Sequence, residues 1–108
     1  MPVYNKLVRD KILEIIEADG LKYNARVLEP KELLVEVKAK MIEEAKEFHG
    51  ADNVQESVEE LADVLELVHT ALSAFGVSYE ELEAIRQQKK GKRGGFEKAI
   101  YLIDVEDK

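Results

Sequence analysis

The chain of 108 residues contains no cysteine and no tryptophan, and only two prolines and two histidines. Without cysteine there is no disulfide framework, no thiolate metal site and no cysteine nucleophile. His49 and His69 are too few for a histidine-rich centre, so any metal must be held by oxygen. No run approaches the roughly eighteen consecutive apolar residues of a membrane span, and the N-terminal MPVYNKLVRDKI is charged where a secretory signal is apolar. The expectation is therefore no membrane association and a cytoplasmic location. Basic charge is scarce as well: 16 Lys and Arg face 23 Asp and Glu, a net charge of −7. That argues against a binder of nucleic acid polymers, whose affinity comes largely from neutralising phosphates.

What is present is enough for a core. A composition of 45% hydrophobic and 36% charged residues reads as one globular domain over 1–108, too short for two independent cores and too rich in Leu, Ile and Val for disorder. Leu7, Val8, Ile12, Ile15 and Ile16 recur at helical spacing between Asn5, a possible N-cap, and Gly20, which predicts a first helix over roughly 6–19. Pro30 suits the first turn of a second helix, and Leu34, Val37, Met41, Ala45 and Phe48 carry it to about residue 48. Asn53 with Glu56 opens a third helix that runs to Phe75 and Gly76, and Ser78 with Glu81 opens a fourth to about Lys89. A basic glycine-rich loop, KKGKRGG, then follows. The alternating KYNARVL at 22–28 and the β-favouring AIYLIDV at 99–105 predict a small two-stranded ribbon. The expected fold is mainly α, four-helix-bundle-like, with that ribbon beside it.

Charge is segregated along this frame. From Glu43 to Glu66 nine acidic residues meet one base, Lys46, so this window carries −8 while the rest of the chain nets +1. Basic residues gather near the two ends, at Lys6, Arg9 and Lys11 and at Lys89, Lys90, Lys92 and Arg93. On a helical wheel Glu44 falls roughly 20° from Leu33 and Val37, inside the apolar arc of the second helix, with Glu47 at its border. The third helix sets Glu60 between Leu67 and Ala71, flanked by Asp63 and Glu56. Glu43, Glu59 and Glu66 read as solvent-facing charges. Glu44 with Glu47, and Glu60 with Asp63, are neighbours three residues apart and form two acidic pairs aimed at the core. Burying like charges without compensation costs several kcal/mol each, which implies a cation. Mg²⁺ suits an all-oxygen set and bridges carboxylates to phosphates.

The pattern Glu44-x-x-Glu47, twelve residues, then Glu60-x-x-Asp63 resembles the signature of the all-α nucleoside triphosphate pyrophosphohydrolases of MazG type, which include phosphoribosyl-ATP pyrophosphohydrolase and the dimeric dUTPases. Within that superfamily the whole chain is similar to the small phosphoribosyl-ATP pyrophosphohydrolase-like, house-cleaning branch. The resemblance is carried by YNKLVRDKI at 4–12, EEAKEF at 43–48, EELADVLE at 59–66 and KRGGF at 92–96. Leu13 stands where this branch is expected to have proline after KI, a difference that bears on helix geometry more than on chemistry.

The resemblance implies that Glu44, Glu47, Glu60 and Asp63 are Mg²⁺ ligands, with Mn²⁺ as a substitute. It implies attack of water on the α-phosphorus of a nucleotide, giving a nucleoside monophosphate and pyrophosphate, with Glu47 or Glu56 as the base. A triphosphate brought to an acidic site needs cationic clamps, and Lys6, Arg9, Lys11, Lys92 and Arg93 are the candidates. Gly94 and Gly95 would let backbone N–H groups approach a phosphate. The expected substrate is a canonical or damaged NTP or dNTP; the histidine-pathway reaction on phosphoribosyl-ATP is an alternative of the same chemistry. A helical dimerisation or antitoxin-like binding module is the non-enzymatic alternative. The third helix carries an apolar arc of roughly 240°, wider than a one-sided surface helix needs, which predicts a homodimer or a dimer of dimers.

Overall fold

The computed structural model describes residues 2–107. Among them four helices form and no strand: α1 (Ile12–Ala18), α2 (Pro30–Gly50), α3 (Val54–Phe75) and α4 (Tyr79–Arg93). The chain divides into two compact units, Met1–Gly76 with α1 to α3 and Val77–Lys108 with α4.

Helix α2 starts where proline costs least. Pro30 occupies the first turn, whose N–H would have no partner anyway, and Glu32 Oε1 accepts from Glu29 N at 3.4 Å while the same carboxylate accepts from Arg26 at 2.7 Å. Helix α3 is capped by Asn53, whose side chain accepts from Glu56 N at 2.8 Å, and is ended by Gly76 at φ 72°, a left-handed turn that glycine adopts without strain. Three residues connect α2 to α3, so the chain must reverse, and the two helices pack against each other as an antiparallel hairpin. At 1.5 Å per residue each spans about 30 Å. Between them lies a thin core, with Val37 only 1% exposed and Leu67 9%. The third buried residue is a carboxylate, Glu44, 7% exposed. Phe48, which the spacing assigned to the apolar face of α2, stays 43% exposed.

Three sequence expectations are corrected. The β-ribbon does not form: residues 22–28 and 99–105 are irregular. A strand needs a paired ladder, and these segments belong to different compact units. The first is tied down by side chains instead, through Tyr23 to Glu17 at 2.7 Å and Arg26 to Glu32, while the second opens on Ala99 at φ 53°, which breaks an extended run. Helix α1 is also shorter than 6–19. Asn5 adopts φ 44° rather than capping a helix, and residues 2–10 run irregularly while Lys6 and Arg9 reach acids on α2 and α3. Finally, α4 continues through Gly91 to Arg93, so most of KKGKRGG is helix rather than loop. Lys90, Lys92 and Arg93 in its last turn complement the negative end of the helix dipole, and Gly94 at φ 82° stops it. No single helix among the described residues is long and apolar enough to cross a membrane.

Candidate metal centre

The hairpin brings the two acidic pairs together. Glu44 and Glu47 lie one turn apart on α2, Glu60 and Asp63 one turn apart on α3, and antiparallel packing sets these turns opposite each other. Glu44, Glu60 and Asp63 each present an oxygen within 4.8 Å of the others, and so do Glu43, Glu44 and Glu47. Glu44 belongs to both sets and stands at the centre of the cluster. Its Oε2 is buried with no hydrogen-bond partner, and the same holds for Oε2 of Glu60.

Those two orphaned oxygens define the electrostatics. Ionised carboxylates only accept, so two of them facing each other leave both without a donor. Protonating one supplies it. Burial, then hydrogen bonding to Glu60 and Glu47, then the charges of Glu47 and Asp63 push the Glu44 carboxyl up to about 7. For Glu60 the hydrogen bond from Glu44 pulls downward, but desolvation, Glu47 and the charge of Asp63 outweigh it, and this carboxyl is raised too. Two buried oxygens without a donor are an environment that a hard divalent cation relieves; Glu44, Glu60 and Asp63 fit one by donor type, proximity and charge, and Glu47 adjoins them through Glu44.

Cations of the chain crowd the same spot. Arg9 Nη2 donates to Asp63 Oδ1 at 2.6 Å, and Lys6 Nζ lies 3.6 Å from Glu43. Lys40 Nζ lies 3.4 Å from Glu43 and 3.9 Å from Glu44, with its side chain only 19% exposed. Sequence reasoning missed Lys40 and took Glu43 for a solvent charge. The signal was available, since Lys40, Glu43 and Glu44 stand at i, i+3 and i+4 and must share a helix face.

Glu56 and Lys11 belong to the first unit as well. Glu56 occupies the first turn of α3, where its carboxylate accepts from Asp52 N at 3.4 Å and serves the helix start. Lys11 is exposed at the N-cap of α1. Lys92 and Arg93 end α4, and Gly94 and Gly95 follow it in the second unit, all of them exposed. Phe96 and Tyr101, apolar in character, are 97% and 90% exposed.

A family model described as phosphoribosyl-ATP pyrophosphohydrolase matches residues 21–90, well over half of the chain. The chain belongs to the phosphoribosyl-ATP pyrophosphohydrolase family. Membership carries the all-α nucleoside triphosphate pyrophosphohydrolase superfamily with it, and with that hydrolysis of a phosphoric anhydride in a nucleotide substrate. Metal dependence is typical of the family, and the acidic clusters on α2 and α3 both lie within the matched span. NKLVRDKI and KRGGF both lie outside it. No significant match was found among curated proteins or among solved structures.

Proposed function

We propose that this phosphoribosyl-ATP pyrophosphohydrolase family member is a Mg²⁺-dependent pyrophosphohydrolase that cleaves the α–β bond of a nucleoside triphosphate, releasing the monophosphate and pyrophosphate. The observation that carries this reading is the buried, unpartnered Oε2 of Glu44 facing Glu60 and Asp63. Glu44, Glu47, Glu60 and Asp63 would hold the cation, with Mn²⁺ as a substitute. Bound there, it supplies neutralisation of phosphate charge and acidifies water.

The chain's own groups do the rest. Glu47 is exposed at the rim of the cluster, so its carboxylate can take a proton from an attacking water and pass it to solvent. Glu56 is the weaker candidate for the base because the start of α3 already uses its carboxylate. Arg9 sits beside Asp63, where a phosphate oxygen would replace the carboxylate as its partner once a cation takes the latter, and Lys6 lies beside Glu43 at the edge of the same cluster. Lys11, Lys92 and Arg93, with the N–H groups around Gly94 and Gly95, are the further phosphate-binding candidates. Exposed apolar residues along α3 favour a homodimer or a dimer of dimers.

The test is a pyrophosphate-release screen across ribo- and deoxyribonucleoside triphosphates with and without Mg²⁺. Metal-dependent release from at least one is expected, and none from any would reject the reading. Phosphoribosyl-ATP belongs in the same screen, because the matching family model carries its name. Exclusive activity on it would favour the histidine-pathway reaction instead.

A further inference from the structure

Beside the carboxylate cluster, along the same hairpin, runs a groove of about 540 Å³, within the size range of small-molecule sites. One wall is apolar, made by Leu28, Pro30 and Leu33 at the entry to α2. The other is polar, made by Glu66, His69, Thr70 and Ser73 of α3. Asp63, Glu66, Thr70 and Ser73 follow at i, i+3, i+7 and i+10, so the polar wall continues a stripe that begins at the acidic cluster. Glu66 stands roughly 4.5 Å along the helix axis beyond Asp63, and Thr70 and Ser73 roughly 10 and 15 Å beyond it.

We propose that this groove receives the nucleoside half of the substrate whose phosphates the carboxylate cluster handles, with Glu66 accepting hydrogen bonds from the ribose hydroxyls and so selecting ribonucleotides. The inference rests on the pyrophosphohydrolase reading and deepens it. The order of groups in a nucleotide is phosphate, sugar, base, and the first side chain beyond the phosphate-handling acids therefore meets the sugar. That side chain is a carboxylate, which only accepts, and hydroxyls donate to it. A carboxylate accepting from a ribose hydroxyl is the chemistry by which dinucleotide-binding folds recognise the same sugar. The base then lies between the apolar wall and the hydroxyls of Thr70 and Ser73. The Thr70 hydroxyl already donates to the Glu66 carbonyl at 3.0 Å and so offers a base an acceptor, whereas Ser73 can donate or accept, and that pairing tolerates several bases. Selection by sugar is thus sharper than selection by base.

The experiment compares kcat/KM for a nucleoside triphosphate and its 2′-deoxy counterpart of the same base, in the wild type, Glu66→Ala and Ala74→Trp. Ala74 lines the groove, and tryptophan there would fill it. The wild type is expected to favour the ribonucleotide by about tenfold, the discrimination of one hydrogen bond to a charged group. Glu66→Ala should bring that ratio to near unity, mainly through KM. Ala74→Trp should raise KM for both nucleotides while Mn²⁺ binding, measured by calorimetry, is retained. A wild-type ratio near unity, a ratio unmoved in Glu66→Ala, or an unchanged KM in Ala74→Trp overturns the assignment. If no nucleotide yields pyrophosphate, it is the hydrolase reading that fails. The groove is then judged by calorimetry with adenosine 5′-monophosphate and its 2′-deoxy form, where equal Kd for the two sugars overturns it and a weaker Kd for the deoxy form, lost in Glu66→Ala, supports it.

Discussion

Arg9 Nη2 lies 2.6 Å from Asp63 Oδ1, a contact made across 54 positions of sequence. It joins an irregular N-terminal segment to the middle of α3, and in doing so it occupies one of the carboxylates that a cation would use. The pair is more than a third exposed on both sides, so its own contribution to stability is small. On the proposed function its importance is chemical, because an incoming cation and an incoming phosphate would exchange partners with it.

Arg9→Ala is therefore expected to separate two properties. Mn²⁺ affinity in the absence of nucleotide should stay the same or rise, since Asp63 no longer has a competing partner. KM for the nucleotide should rise several-fold, because a charge-assisted phosphate contact is lost. Calorimetry and steady-state kinetics on one preparation check both, and a weaker Mn²⁺ affinity with unchanged KM would contradict the exchange.

Glu44→Gln and Asp63→Asn should each lower kcat by a factor of about 100 or more, on the scale of losing a preorganised charged group. In EDTA both should unfold at the same temperature as the wild type or a higher one, because removing one of several crowded carboxylates relieves repulsion. Glu59→Gln, on an exposed position, serves as the mild control. Near-normal turnover in either cluster variant would remove that residue from the site.

Stability of the metal-free protein should fall as pH rises. The Glu44 carboxyl goes from an ordinary 4.5 to about 7 on folding, so between these values the folded chain holds a proton that the unfolded chain releases. Stability is then fully present below pH 4.5 and is lost as pH climbs through 7. Glu83 acts in a different window: the Arg86 guanidinium holds its carboxyl down to about 2, so its contribution is lost only on acidification below 4.5. In EDTA, melting at pH 8 should come several degrees below that at pH 5.5, about the effect of 1 kcal/mol or more in a domain of this size. Saturating Mn²⁺ should reverse the trend and Glu44→Gln should flatten it. Melting temperatures in EDTA that rise from pH 5.5 to 8 would contradict the assignment.

Much of this site was legible in the sequence, and the reason is periodicity. A carboxylate inside an apolar arc is visible on a wheel, so the convergence of Glu44 with Glu60 and Asp63 could be read before any fold was known. The caps at Asn53 and Ser78 were equally local and equally readable. What failed depended on partners distant in sequence. Residues 22–28 and 99–105 each look like strands, but a strand is a property of a pair. Lys6 and Arg9 were taken into a helix because nothing local shows that their charges are needed at Glu43 and Asp63. The length of α4 was underestimated because Gly91 looked like an ending, whereas the dipole favours the basic residues around it.

Lys40 is the cation that the cluster keeps for itself. Its side chain is mostly buried, and it faces Glu43 and Glu44 within 4 Å. Lys40→Met leaves these acids without it, so the metal-free protein should lose about 1–3 kcal/mol of stability. Added Mn²⁺ should restore most of that loss, since it compensates the same charge. Denaturant titration with and without metal decides the matter, and an equal loss under both conditions would mean that Lys40 contributes packing rather than charge.

Val54, Val58, Leu61 and Leu65 follow at i, i+4, i+7 and i+11 on α3, a spacing that sets them on one stripe, and they are 79%, 56%, 49% and 46% exposed. On the wheel this stripe lies roughly opposite Leu67 and Asp63, which face α2, so α3 carries a second apolar side. A stripe of four large side chains in water is costly, at about 1–2 kcal/mol for each of these partly exposed residues that burial would protect. The spacing is that of a helix–helix seam, and an identical stripe on a second copy is its simplest complement, since a two-fold axis sets a surface against itself. The protein is therefore expected to be a homodimer or a dimer of dimers with α3 at the interface. Leu61→Glu with Leu65→Glu should split it by setting like charges against each other across the axis. Light scattering at micromolar concentration reads the outcome: a wild-type mass near the 12.3 kDa of one chain would reject the assembly, and an undiminished mass in the double variant would move the interface away from α3.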